Sequence, residues 1–117
     1  MTAAADCLFC RIVAGDLPSE RVASSKLSYA FRDLNPGAPS HVLVVPVEHV
    51  GDAADIDASH GEILADMFET ANRVARSEGI AEAGYRLVFN VGEDAGNSVG
   101  HLHLHVLGGR TMSWPPG

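Results

Sequence analysis

Residues 101–109 read HLHLHVLGG, and the strict alternation of histidine with aliphatic residues restricts this chain more than any other feature. A β-strand has a side-chain period of two, so His101, His103 and His105 fall on one face and Leu102, Leu104 and Val106 on the other. The aliphatic face packs on a core. The histidine face must look onto something polar. The chain has six histidines in all, and three of them in register on one strand face make a chemical surface.

The rest of the chain supplies the partners for this strand. CLFCRIVAG (7–15) reads as a short helical turn ended by Gly15. RVASS (21–25) and SYAFRDL (28–34) read as strands on either side of Lys26, and NPGAPS (35–40) is a turn cluster. HVLVVPV (41–47) is a nearly continuous β-branched run, the pattern of a central strand, with Pro46 at its end. Residues 59–78 form the strongest helical pattern. Ser59 and Glu62 fit a capping box; Ile63, Leu64, Met67, Phe68, Ala71, Val74 and Ala75 share one face, for core or a subunit interface; Gly79 occupies the position of a C′ glycine. YRLVFNV (85–91) is a further strand, and the tail RTMSWPPG is extended. Five strands, mostly antiparallel, with one long helix and a short N-terminal helix define an α+β domain. A length of 117 residues suits one domain over 1–117; His60 is expected at the surface.

The formal net charge of −7 argues against a nucleic-acid polymer or an anionic membrane as partner, since both need a basic patch. It leaves open a small anion held by backbone N–H groups. No apolar run approaches the ~20 residues of a membrane span, and no secretory signal is evident. A cytoplasmic setting is expected, in which the C-x-x-C pair Cys7 and Cys10 is a redox pair, half of a zinc site or two idle thiols.

Two chemistries suit the histidine face. Neutral imidazole is a common metal ligand. It is also a nucleophile, and a neighbouring imidazolium can give a proton to a leaving group; an ordinary His pKa of ~6.5 keeps both forms available near neutrality. The preceding loop, GEDAGNSVG (92–100), bears on the choice. Glycines at 92, 96 and 100 let backbone approach an anion, and Ser98 adds a hydroxyl. A phosphate-cradling loop that runs straight into a histidine strand suits phosphoryl or nucleotidyl transfer.

With these residues in view, HLHLHVLGGR resembles the signature of the histidine-triad superfamily. LFCRIVAGDLPSE, AFRDLNPGAPSHVLVVPVEHV, YRLVFNVG, GNSVGHLHLHVLGGR and MSWPPG resemble its Hint branch, in order and over nearly the whole chain. The resemblance implies the histidine-triad fold, a homodimer with sheets continuing across the interface, and hydrolysis of purine nucleoside 5′-phosphoramidates to AMP or GMP. By position, His103 becomes the nucleophile that forms a nucleotidyl-histidine intermediate without a catalytic metal. His105 contacts the phosphate and assists proton transfer, and His41 supports the nucleophile's ring. Asp33 matches the ribose ligand. Phe9, Ile12, Phe31 and Leu34 match the wall around the base, and Asn90, Gly96, Asn97 and Ser98 match positions near the phosphate and leaving group. Cys7, Cys10, His49 and His101 match a closed structural zinc set.

Three departures bear on the leaving group: Asn97, Gly100 and Ser113 stand where glutamine, tyrosine and histidine are common in the branch. Three other readings stay open from sequence: a dinucleoside polyphosphate hydrolase, against which the WPPG tail argues; a nucleotide-binding interaction protein with little turnover; and a metal-dependent hydrolase with the triad as ligands.

Overall fold

The computed structural model describes residues 6–117; the first five positions of the expected 1–117 domain lie outside the described residues. Helix α1 spans Leu8–Val13. Strands β1 (Arg21–Ser24), β2 (Ser28–Arg32) and β3 (Ser40–Pro46) follow, then two short 3₁₀ turns, helix α2 (Gly61–Ser77), and strands β4 (Tyr85–Val88) and β5 (Leu104–Gly108). The strands form one sheet in the order β1-β2-β3-β5-β4, antiparallel at every pairing. This is the α+β architecture expected from the sequence.

Helix α2 covers one face of the sheet. Met67, Ala71, Val74 and Ala75 pack on Val42, Val44, Leu104 and Val106, all completely or almost completely buried. On the opposite face α1 brings Phe9 against Phe31, Leu43 and Val45. Because β3 is covered on both sides, its run is apolar at successive positions rather than alternating. The C-terminal half of the HLHLHVLGG motif is β5. Leu104 and Val106 point at α2, and His105, with Leu107, lies on the opposite face.

Local chemistry explains where elements stop. Gly15 and Gly79 leave their helices at φ +85° and +74°, the left-handed region that only glycine enters without strain. Gly108 closes β5 for a different reason: a Cβ there would stand 2.6 Å from Ile80 Cδ1 and 3.0 Å from Ile80 Cβ.

Some boundaries differ from the sequence reading. The Ser59–Glu62 capping box is absent. His60 is the N-cap of α2 and makes no side-chain cap bond there; instead it accepts the Asp57 N–H at 3.0 Å and is half-buried. Asp52 and Asp57 cap the preceding 3₁₀ turns, because an acidic oxygen two residues before an N–H competes well for it. Phe68 is not core. It is 40% exposed and meets Phe89 edge-on, with ring centroids 6.3 Å apart. Residues 101–103 lie before β5, so the histidine run is strand only in its second half.

Candidate active site

Cross-strand register assembles the polar face. Leu43 on β3 pairs with His105 on β5, and His41 pairs with Leu107. His41 and His105 are therefore diagonal neighbours on one face, within reach of each other. His41 Nε2 and His105 Nδ1 lie 2.9 Å apart. His41 Nδ1 accepts the backbone N–H of Gly37 at 2.8 Å, and the Asp33 carboxylate lies 3.3 Å from His41 Nε2. Asp33 also accepts the N–H of Asn35 at 2.9 Å, so it forms the turn and faces the histidines at once.

His103 is held by backbone rather than by His41. Its Nδ1 is 2.7 Å from the carbonyl oxygen of His101. A carbonyl only accepts, so Nδ1 carries the proton and Nε2 keeps the lone pair. The rings of His103 and His105 meet at 5.1 Å between centroids, and Phe9 stands edge-on to His103 at 5.2 Å. The polar network expected to run from His41 to the His103 ring thus runs to His105.

His103 and His105 open into a cavity of about 480 Å³, a size that suits a small-molecule ligand. Phe9, Ile12, Phe31 and Leu34 line its apolar side, and Leu34 is 93% exposed. Asp33, Asn90, Gly96 and Ser98 line the polar side. His41 lies behind His105 and does not line the cavity. Asn97 does not line it either: its N–H donates to the Gly92 carbonyl at 3.1 Å, and its side-chain oxygen is buried without a partner among the described residues. The sequence reading passed over Leu8, Leu17, Pro18, Leu43 and Val99, which complete the apolar lining; nothing in their local sequence marks them as part of a site. It also passed over the Gly37 amide and the His101 carbonyl, since main-chain groups leave no mark in composition.

Burial shapes the electrostatics. Desolvation, then the neighbouring His103 and His41, pull His105 down to about 4 against the opposing pull of Asp33. Desolvation also lowers His41, with Asp33 opposing. His105 is therefore neutral near pH 7, and the imidazolium expected from an ordinary pKa is not its resting form. A bound anion against His105 would favour the protonated ring.

A second cluster lies beneath the first. The ligand atoms of Cys7, Cys10, His49 and His101 all fall within 4.8 Å of one another. His101 Nδ1 is 3.2 Å from Cys7 Sγ, 3.5 Å from Cys10 Sγ and 3.1 Å from His49 Nδ1; His49 Nδ1 is 3.3 Å from Cys10 Sγ. The edges of a tetrahedron with metal–ligand bonds of 2.0–2.3 Å are about 3.3–3.8 Å, so four donors sit nearly at metal-binding separation. His101 is completely buried. Its Nε2 donates to the Pro46 carbonyl at 3.0 Å, which turns the Nδ1 lone pair toward the sulfurs. The donor set fits a metal site. Asp33, His41 and His105 also converge within ligand distance. There the Gly37 N–H argues the other way: it makes His41 Nε2, the atom facing the cluster, the protonated nitrogen, with no lone pair to offer.

Comparison with known proteins decides the family. A family model described as the HIT domain matches residues 14–112. The chain belongs to the HIT-domain family. The chain is 39% identical over 109 residues to a purine nucleoside phosphoramidase of Escherichia coli (strain K12), covering 93% of this chain and 92% of that one. It is 43% identical over 112 residues to a 14 kDa zinc-binding protein of Zea mays, covering 94% and 87%. Among solved structures, a HIT family hydrolase from Legionella pneumophila Philadelphia 1 superposes with a TM-score of 0.93 at 46% identity, covering 96% of this chain and all of that one. Among the described residues of this HIT domain no helix is long and apolar enough to cross a membrane.

Proposed function

We propose that this chain is a purine nucleoside 5′-phosphoramidate hydrolase that works through a nucleotidyl-histidine intermediate on His103. The observation that carries the proposal is the His103 ring: its Nδ1 proton is committed to the His101 carbonyl, so the Nε2 lone pair is available beside a nucleotide-sized cavity. The likeness to a named phosphoramidase over nearly the whole of both chains supports the substrate class.

In this reading the purine lies among Phe9, Ile12, Phe31 and Leu34, and Asp33 accepts from the ribose hydroxyls. Asn90, Gly96 and Ser98 surround the phosphate and leaving group; Asn97 shapes the loop behind them. His103 Nε2 attacks the α-phosphorus. The phosphorus–nitrogen bond breaks, and the departing amine takes a proton with the help of His105. Water then attacks the nucleotidyl-histidine, releases AMP or GMP and restores the ring. His41 acts through His105, as a positioning residue.

Zinc suits the Cys7, Cys10, His49 and His101 set. Four protein ligands leave no open position, so a bound ion braces the α1 start and the residues before β5 and takes no part in the chemistry. The chain is further read as one domain over 1–117 and as a cytoplasmic homodimer; the exposed Phe68 and the position of β4 at the sheet edge support an interface there.

The deciding test is hydrolysis of adenosine 5′-phosphoramidate by the wild type and by His103→Ala, each with and without chelator. Turnover by the wild type at a temperature where it stays folded, unaffected by chelator and reduced by orders of magnitude in His103→Ala, is the expected result. A folded wild type that binds AMP and turns nothing over overturns the proposal.

A further inference from the structure

Gly37 lies in the turn between β2 and β3, and both of its main-chain polar groups are committed. Its N–H donates to His41 Nδ1 at 2.8 Å. Its carbonyl accepts from Arg110 Nη2 at 3.0 Å. Arg110 follows the HLHLHVLGG motif directly, so the end of β5 is tied back to the turn beside the triad.

The hydrogen bond to His41 has a consequence for protons further along. An amide N–H can only donate, so His41 Nδ1 is an acceptor and the single proton of the neutral ring sits on Nε2. That proton points at His105 Nδ1, 2.9 Å away, with the Asp33 carboxylate at 3.3 Å as a second acceptor. Receiving it makes His105 Nδ1 an acceptor too, which leaves the His105 proton on Nε2. Nε2 lies in the cavity that His105 lines, 3.5 Å from Asn90 Nδ2; two donors do not bond, so an N–H on Nε2 goes with the Asn90 amide turned to bring Oδ1 to the ring as acceptor.

We propose that the Gly37 amide, tethered by Arg110, is a positioning group that sets the tautomers of His41 and His105, so that His105 presents N–H rather than a lone pair to the phosphoryl oxygens. The catalytic consequence rests on the phosphoramidase reading; the tautomer assignment does not. Without the amide, His41 can carry its proton on Nδ1. His105 then loses its donor, and in its other tautomer a lone pair faces an anion, an arrangement that repels where the present one binds.

The glycine side chain is not what matters here. Gly37 is outside the left-handed φ region, and an added Cβ would lie 3.7 Å from His41 Nδ1, an ordinary contact. Gly37→Ala therefore keeps the donor, and Gly37→Pro removes it. Because proline after Pro36 can disturb the turn, Arg110→Leu is the second variant; it leaves the turn sequence intact and removes the tether along with an exposed local bond to the Thr111 carbonyl.

The test uses full-length protein labelled with ¹⁵N-histidine, read by long-range proton–nitrogen correlation near pH 7, with kcat and KM for adenosine 5′-phosphoramidate measured alongside. In the wild type and Gly37→Ala, both His41 and His105 are expected as Nε2–H tautomers with similar kcat. In folded Gly37→Pro, a mixed or Nδ1–H pattern is expected with kcat down about tenfold or more; Arg110→Leu is expected to move both readouts the same way by less. A wild-type His41 protonated on Nδ1 overturns the proposal, as does a folded Gly37→Pro with wild-type tautomers and wild-type kcat. A wild type with the expected tautomers and no turnover supports the assignment and sinks the phosphoramidase reading instead.

Discussion

His101 and His103 share a division of labour two residues apart: the His101 carbonyl accepts the His103 Nδ1 proton at 2.7 Å, while the His101 ring faces the Cys7 and Cys10 sulfurs at 3.2 and 3.5 Å. One residue thus anchors the His103 ring through its main chain and closes the metal-type cluster through its side chain. The N–H of Leu102, between them, donates to the Val50 carbonyl at 2.6 Å, so this segment is held although it is not strand.

Binding at that cluster is expected to stabilise the fold. The protein should carry one zinc per chain, measurable by metal analysis, and Cys7→Ser/Cys10→Ser should carry none. Structural sites contribute several kcal/mol, so stripping the metal should lower Tm by roughly 10 °C or more. An unchanged Tm on stripping would show that the four donors pack without needing an ion.

Acidification should destabilise the protein in a defined window. His105 is lowered to about 4, and His41 is lowered as well, both mainly by burial. Below the ordinary value of ~6.5 the unfolded chain binds these protons and the folded chain does not, so stability falls as pH drops from about 6.5 toward 4. Above 6.5 both states hold neutral rings and this contribution is flat. Tm measured from pH 8 to 4 should show that break, and His105→Asn should flatten the slope.

Glu78 ties the C-terminal end of α2 to the sheet. It pairs with both terminal nitrogens of Arg32 at 2.5 and 2.8 Å and accepts from Ser40 at 2.9 Å, and the Arg32 bond in particular holds its carboxyl below the usual range. Its side chain is only 13% exposed. Glu78→Ala leaves Arg32 with Glu20 as its remaining carboxylate partner and takes the acceptor from the Ser40 hydroxyl, and should cost about 1–3 kcal/mol in chemical denaturation. A loss under 0.5 kcal/mol, the ordinary range for surface changes, would show that water replaces the carboxylate freely.

Gly108 should tolerate no side chain. The 2.6 Å approach of Ile80 Cδ1 to an added Cβ forces a buried aliphatic side chain and its neighbours to move, so Gly108→Ala should destabilise by about 1–3 kcal/mol. Ile80→Val in that background relieves one of the close contacts and should recover part of the loss, a coupling that a double-mutant cycle reads directly.

Much of this protein is legible along the chain because the signals are periodic or steric. Alternation in HLHLHVL separates aliphatic from histidine faces, β-branched crowding marks β3, a 3.6-residue stripe marks α2, and Gly15 and Gly79 end their helices where φ turns positive. Those are local properties, set by backbone geometry within a few residues. Phe68 shows the limit: periodicity places it on the apolar face, and only the packing of α2 leaves it 40% exposed against Phe89. What tertiary structure alone decided is which atoms meet and in which protonation state. The diagonal register of β3 and β5 brings His41 to His105 rather than to His103. A turn amide and a carbonyl two residues from His103 choose which nitrogens carry protons. Residues 94 positions apart converge in Cys7 and His101. Register and main-chain donors arise from long-range packing, and no residue type encodes them at its own position.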